Sequence, residues 1–255
     1  MRIIEISNRK FYEYTGSLHI HSEYSFDSNG SLDSIIKCAQ ACKIDFIAIT
    51  DHNNLTPKKL GYQKRHNNLF VLIGYELNDA NKNNHYLIFN TNDTLPICTN
   101  PSTYIPMLKT QGAVGFIAHP VEKRLEKKHR TYQWLDWTAT DFDGIEVWNF
   151  MSYWMDAIYS NKKLFYLLFP SKVIKNAYPE ILKKWDDYNK RGFRKSAIGS
   201  IDLHSRLISW GFIKFHIYPH KLYFKSIRTN IWTETELNEK NFEQVILSAL
   251  SSGNS

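Results

Sequence analysis

Short apolar runs recur along the chain, and several of the stretches between them carry apolar residues at helical spacing. Apolar runs of this length, bounded by turn residues, read as buried strands. The pattern predicts strands over 16–21, 44–50, 70–73, 86–89, 112–118, 142–147, 196–201 and 222–227. Between the first two, Ser31 is placed to accept a hydrogen bond from the free N–H groups that open a helix. Ile35, Ile36, Ala39 and Cys42 give that helix one buried face. Pro57 suits the first turn of a second helix running toward Arg65. Residues 101–110 read as a third helix and 241–250 as a closing amphipathic one. Strands alternating with helices argue an α/β fold built on a parallel sheet.

From 149 to 191 the pattern changes. Trp154, Tyr159, Phe165, Tyr166, Phe169, Tyr178, Trp185 and Tyr188 crowd a mostly helical segment. It reads either as an outer layer whose aromatics are core or as a cap that shapes a substrate pocket. No internal repeat or low-complexity linker divides the chain, so residues 1–255 are expected to form one domain with this segment inside it.

Polar residues interrupt the pattern at the tips of the predicted strands. His19-Ile20-His21 ends the first strand, and in a strand residues two apart point the same way. Asp51-His52 follows the second strand, Glu76 the third, and His119 the run ending at Ala118. Asp202 and His204 follow the run ending at Ile201, and His85 precedes the run 86–89. A single histidine near a strand is ordinary. This many at strand edges reads as one metal cluster, because in parallel barrels functional groups gather at the C-terminal strand ends. Imidazoles and carboxylates without cysteine suit zinc, manganese or iron. Asp51 is read either as orienting a ligand imidazole or as capping a loop, and Glu146 as a support for the ligands or as structure.

Composition changes this picture little. The chain is 43% hydrophobic and 22% charged, an ordinary globular balance. No apolar run approaches a membrane span of ~20 residues, and the N-terminus does not read as a signal peptide. Cys38 and Cys42 share a helix face and, with Cys98, read as reduced thiols, which suggests a cytoplasmic setting. The net charge of +7 fits anionic partners as well as it fits a lysine-rich solvated surface.

The motifs His19-Ile20-His21-Ser22, Ile49-Thr50-Asp51-His52-Asn53, Gly74-Tyr75-Glu76, Ala118-His119-Pro120 and Gly199-Ser200-Ile201-Asp202-Leu203-His204-Ser205 together resemble the PHP (polymerase and histidinol phosphatase) metal-dependent phosphoesterases. Tyr24-Ser25-Phe26-Asp27-Ser28 and His85 belong to the same likeness, which covers nearly the whole chain. Gly144-Ile145-Glu146-Val147-Trp148-Asn149 further resembles the CehA/McbA-like branch. The resemblance implies a distorted (β/α)7 barrel with an aromatic-rich helical insertion, holding two or three divalent ions. It implies that His19, His21, Glu76 and Asp202 hold one metal. Glu76 would bridge to a second, completed by His85 and His119, and Asp27, His52 and His204 would hold a third.

The implied function is hydrolysis of a phosphate ester by a metal-activated water. Glu76 would hold the ion pair together, and His52 or His204 would be the candidate general acids if free of metal. Arg206, Lys123 and Arg124 are candidate phosphate contacts, with surface ion pairs as the alternative. A small phosphorylated substrate is expected. A nuclease acting on phosphodiesters and a hydrolase of carbon esters or carbamates are the rival readings. The run 251–255 reads as cut short before a further strand.

Overall fold

A computed structural model gives the fold and describes residues 1–97, 100–124, 129–174, 176–205, 207–210, 213–216 and 219–255, with Ile6, 207–210 and 213–216 described by backbone alone. Cys98 and Arg206 lie outside the described residues.

The chain begins with an antiparallel hairpin, β1 (Arg2–Ile6) and the long β2 (Arg9–Ile20). Next come α1 (Leu32–Ala41), β3 (Phe46–Ile49), α2 (Thr56–Lys59), the two-residue β4 (Arg65–His66), β5 (Leu69–Ile73), β6 (Tyr75–Leu77) and β7 (Tyr86–Phe89). Then α3 (Pro101–Thr110), β8 (Val114–Ile117) and β9 (Gly144–Asn149) lead into the helical segment, which is α4 (Phe150–Ile158), α5 (Lys163–Leu168), a 3-10 turn (Pro170–Val173) and α6 (Pro179–Lys190). The chain closes with β10 (Ser196–Ser200), the hairpin β11 (Leu207–Trp210) and β12 (Ile213–His216), α7 (His220–Phe224), β13 (Thr229–Thr233) and α8 (Phe242–Ser252).

Local chemistry explains the boundaries. The Ser31 side chain accepts from Ser34 N at 3.3 Å and opens α1. The helix expected to run from Pro57 toward Arg65 stops at Lys59, just before Gly61 at φ +77°. The strand expected over 222–227 is instead the short helix α7, with Tyr223 and Phe224 buried. A short apolar run does not by itself separate strand from buried helix. The alternation that marks a half-buried strand lies in β13, where Thr229, Ile231 and Thr233 are buried and Asn230 and Trp232 exposed.

Two large sheets result, β1-β2-β3-β5-β4 with β13 also on β2, and β6-β7-β8-β9-β10, and β11 and β12 pair as a third, two-stranded sheet. β2, β3 and β5 are parallel, as are β8, β9 and β10. β7 runs antiparallel to both β6 and β8, against the parallel expectation. The stretch from Leu77 to Tyr86 explains this, because a crossover returning a parallel strand needs about a dozen residues or more. The sheets border each other twice. β5 runs into β6 across Gly74, and beyond β10 the Ile201 and Leu203 N–H groups donate to Leu18 O and His19 O, each at 3.1 Å. The ladders do not run continuously into a closed barrel.

Alternate residues of both sheets meet in one inner cluster: Leu18, Phe46, Ala48, Phe70, Leu72, Leu87, Phe89, Phe116 and Ile198. Phe242, Ile246 and Leu250 of α8 pack into it. The opposite faces, including Ile47, Val71, Ile88, Ile117 and Ile145, pack with residues of α1, α3 and the helical segment. With both faces covered, β3, β5 and β7 are buried throughout and show no polar alternation. No helix among the described residues is long and apolar enough to cross a membrane.

Candidate metal centre

The polar residues at the strand tips converge. His52 follows β3, Glu76 is the middle residue of β6, His85 immediately precedes β7, and His119 follows β8. Asp202 and His204 follow β10, and Asp27 lies in the loop after β2. His19 and His21 reach the same point, but not by strand alternation. His19 has φ +61°, and the β2–β3 register shifts between Ser17 and Ile20. His119 (φ +25°) and Asp202 (φ +48°) also lie in the left-handed region. Such backbone costs on the order of 1–3 kcal/mol per residue and persists where the surroundings hold it.

Glu76 is the centre of the arrangement. Its Oε2 lies 3.1 Å from His19 Nε2, 3.2 Å from His21 Nε2 and 3.5 Å from His52 Nε2. Its Oε1 lies 2.6 Å from His85 Nδ1 and 3.2 Å from His119 Nε2. Asp202 Oδ1 lies 3.4 Å from both His19 Nε2 and His21 Nε2. On the other side Asp27 Oδ2 lies 3.2 Å from His52 Nε2 and 3.0 Å from His204 Nε2. Four overlapping groups have donor atoms close enough to share an ion: His21, Asp27, His52 and His204; His19, His21 and Glu76; His19, His119 and Asp202; and His52, Glu76 and His85. All nine residues named from the sequence are in one or more of them.

The donor chemistry fits divalent cations. Glu76 is 1% exposed. Buried beside it, His21 Nε2 and Asp202 Oδ1 have no directed hydrogen bond among the described residues, although carboxylate and imidazole face each other. Unsatisfied buried polar atoms are costly, and a cation between them would satisfy both.

The field of the site favours positive charge. Burial pushes His19 down, but Asp202, Glu76 and Glu146 outweigh it and hold the imidazole well above its ordinary value. Against the same burial, Glu76, Asp202 and Glu122 raise His119 to about 9. Asp202 and Asp27 raise His204 to about 10. His85 goes the other way, because burial exceeds the pull of Glu76. Burial also pushes Glu76 and Asp202 up, yet the surrounding imidazoles, His19 foremost, hold both well below the usual carboxylate range.

A shell of buried polar groups fixes these side chains. Glu146 Oε1 lies 2.9 Å from His19 Nδ1, and Glu146 Oε2 accepts from His119 N at 2.7 Å and Asn149 Nδ2 at 2.8 Å. One carboxylate thus braces two of the three strained positions. Asn149 Nδ2 also approaches Asp202 Oδ2 at 3.3 Å, the third. Asp51 accepts from Ser22 N at 2.6 Å and Ser22 Oγ at 2.7 Å, so it caps the loop after β2 and does not orient His52. Ser25 Oγ instead reaches His52 N at 3.2 Å and donates to Asp27 Oδ1 at 2.7 Å. The supports Asn149, Ser22 and Ser25 lie inside motifs quoted from the sequence but were not named there as site residues.

Of the candidate phosphate contacts, Lys123 and Arg124 are engaged away from the cluster. The Arg124 side chain is 4% exposed and pairs with Glu122 and Asp156. Lys123 Nζ pairs with Glu180 at 2.6 Å and lies over the Tyr178 ring. Both follow His119-Pro120 in sequence, but buried carboxylates and the helical segment hold them. This network joins the loop after β8 to α4 and Tyr178, whose hydroxyl donates to Asp156 Oδ2 at 2.6 Å. Two aromatic rings border the cluster instead. Phe26 stacks on His52 at 4.8 Å, and Tyr132 lies 5.3 Å from His85.

A fold of this kind with buried imidazoles and carboxylates at its strand tips defines a metallohydrolase-like protein, and comparison with known proteins names the family. The PHP domain matches residues 17–153, and the chain belongs to that family of metal-dependent hydrolases. An uncharacterized protein of Methanocaldococcus jannaschii, MJ1587, is 29% identical over 173 residues, covering 62% of this chain and 90% of that protein. Among solved structures, the chain is similar to PsfC of Pseudomonas syringae (11% identity, 93% and 96% of the two chains, TM-score 0.47). It is also similar to a candidate metal-dependent phosphoesterase of Bifidobacterium adolescentis (13%, 74% and 87%, TM-score 0.46). Against the lesion-specific endonuclease Q of Pyrococcus furiosus the identity is 17% and the TM-score 0.36, over 43% of this chain and 35% of that one.

Proposed function

We propose that the chain is a phosphoesterase of the CehA/McbA-like branch, a cytoplasmic single-domain protein whose strands form a distorted (β/α)7 barrel. It would hold two or three zinc, manganese or iron ions and act on a small phosphorylated substrate. One observation carries the reading. The two oxygens of a single buried carboxylate, Glu76, face two separate sets of imidazoles. That is the disposition of a bridging ligand between two cation sites. His19, His21 and Asp202 complete one set, and His85 and His119 the other. Asp27 draws His52 and His204 together for a third.

Bound there, divalent ions would supply a nucleophilic water near neutral pH and positive charge for phosphoryl oxygens. The chain's own residues hold that geometry. Glu76 keeps the two sets in register, Glu146 fixes the His19 and His119 positions, and Ser25 ties Asp27 to the His52 backbone. The raised pKa values of His119 and His204 reflect the same attraction for positive charge.

The test is turnover by the manganese- or zinc-loaded chain. The substrates are a nitrophenyl phosphomonoester, its bis-nitrophenyl diester and an aryl carbamate. Monoester turnover that falls at least ~100-fold in both Glu76→Ala and His52→Ala is expected, in line with losses when a catalytic group is removed. Activity confined to the diester makes the protein a nuclease-type enzyme. Activity confined to the carbamate moves the chemistry to carbon.

A further inference from the structure

The helical segment carries an apolar surface that the core does not use. Tyr166, Val173 and Ile174 pack against the outer core and tie down α5 and the 3-10 turn after it. Phe169 N donates to Phe165 O at 2.9 Å and Lys172 N to Phe169 O at 3.0 Å, which fixes the path between them. Leu164, Phe165, Leu167, Leu168 and Phe169 are left exposed. No residue of α5 is buried, and Leu164 and Leu168, one turn apart, are 70% and 66% exposed. The rings of Phe165 and Phe169 stand 5.3 Å apart. A scattered exposed apolar residue is ordinary. Large ones gathered over 164–169 make a patch, and such patches mark interaction surfaces. Lys162 and Lys163 precede the patch and Lys172 follows it, all exposed. Residues 157–179 hold four lysines and no acidic residue.

We propose that this patch seats the protein on an anionic lipid surface, with its apolar side chains in the boundary between headgroups and acyl chains and its lysines against lipid phosphates. The inference is independent of the reaction at the metal centre. Interfacial segments that pair leucine and phenylalanine with lysine are held by apolar burial together with attraction to anionic lipid. The shape of the patch favours lipid over a folded partner. With no residue of α5 buried, the patch projects from the core. A folded partner would need a groove of matching shape, whereas fluid acyl chains close around any projection. The charge argues against a second copy of this chain, because an isologous contact sets the same surface against itself and so brings like lysines together. A lysine held near an anionic surface strengthens binding about fivefold, so Lys162, Lys163 and Lys172 distinguish acidic from neutral lipid.

The test sediments the full chain with sucrose-loaded vesicles, either phosphatidylcholine alone or equal parts phosphatidylcholine and phosphatidylserine. The proteins are wild type, Leu164→Ser with Leu168→Ser, and Lys162→Gln with Lys163→Gln. Leu60→Ser is the control, at a leucine outside the patch that is 57% exposed. Wild type and Leu60→Ser are expected to bind the mixed vesicles at least about tenfold more tightly than the neutral ones. Each double variant should lose at least about tenfold of that affinity. Both should keep the circular dichroism of wild type, because the replaced side chains already face water. Absence of vesicle binding, or equal binding to the two compositions, overturns the inference. Binding that the serine variant retains also overturns it, as general adsorption of a chain of net charge +7. So does a wild type that is dimeric by light scattering and made monomeric by the serine substitutions, which would assign the face to a second copy.

Discussion

Glu146→Gln is the sharpest perturbation of the centre, because it changes charge and donor direction at nearly constant volume. Glu146 is 1% exposed. It receives the His119 N–H and the Asn149 amide on one oxygen and faces His19 Nδ1 with the other. A glutamine has one acceptor oxygen and one amide group. If the oxygen stays with His119 N and Asn149, the NH2 confronts His19 Nδ1, which must then become an acceptor. That tautomer moves the ring N–H to Nε2, the nitrogen that faces Glu76 and Asp202 at 3.1 and 3.4 Å. A metal needs a lone pair there. The opposite rotamer sets the NH2 against two donors and frees the N–H of His119 at φ +25°. Either way one charge-assisted hydrogen bond of ~1.5–3 kcal/mol is lost. Replacing the partner that orients a metal-bound imidazole typically costs about 10–100-fold in affinity. The expected outcome is a manganese or zinc dissociation constant raised 10- to 100-fold, measured by competition with a chromophoric chelator, with the circular dichroism of the metal-free protein retained. A constant within twofold of wild type would refute the assignment of Glu146 as the brace of His19.

Other outcomes follow from the same contacts. Gly74→Ala sets a Cβ 2.3 Å from Ile88 O and 2.5 Å from the Phe89 ring, so urea unfolding should show a loss of ~1–3 kcal/mol. Arg124→Met leaves the buried Glu122 and Asp156 carboxylates without their cation, and the same titration should show a loss of ~3–5 kcal/mol. Asp136 accepts from Ser102 N at 2.9 Å in the first turn of α3 and from Thr138, and Asp136→Ala should cost ~1 kcal/mol. Burial pushes the Asp136 carboxyl up, but the bonds from Thr138 and Ser102 outweigh it and lower it. Its contribution is therefore full above the unfolded value of ~3.9 and is lost as pH falls through the lowered folded value. Melting curves of wild type and Asp136→Ala should converge at the acid end, and a gap unchanged down to pH 2 would remove the carboxylate from the account.

The nine residues of the cluster were legible in the sequence because their residue types are unusual at strand tips, and strand tips are what short apolar runs disclose. What joins them was legible only in part, with Glu146 read as a support for these residues or as structure. The bracing role of Glu146 depends on the left-handed backbone at His19 and His119, which no pattern of polarity announces. Asp51 stands beside His52, yet its partner is Ser22 of the preceding loop, brought close by the pairing of β2 with β3. Lys123 and Arg124 read as phosphate contacts or surface ion pairs; Lys123 makes an exposed pair and Arg124 a buried one, and their partners Glu180 and Asp156 come from the helical segment. The reversal of β7 was readable in the shortness of the stretch before it, although alternation of strands and helices elsewhere argued for parallel order.

That reversal has a consequence for how the centre is assembled. β2, β3, β8 and β10 bring their cluster residues to the centre at or just beyond their ends, β6 carries Glu76 at its middle, and β7 departs from the cluster, with His85 just before its start. The turn over 78–84 therefore separates two residues of the same proposed cation site, Glu76 and His85, whose side chains approach to 2.6 Å. Asp79 folds this turn onto the N–H groups of Asn81 and Asn83, and Asn84 Oδ1 anchors it to Leu135 N at 2.6 Å. The turn acts as a ruler. Its length sets the bite of the Glu76–His85 pair, so one residue added or removed there would detune the proposed cation site from the surface without changing any residue of the cluster.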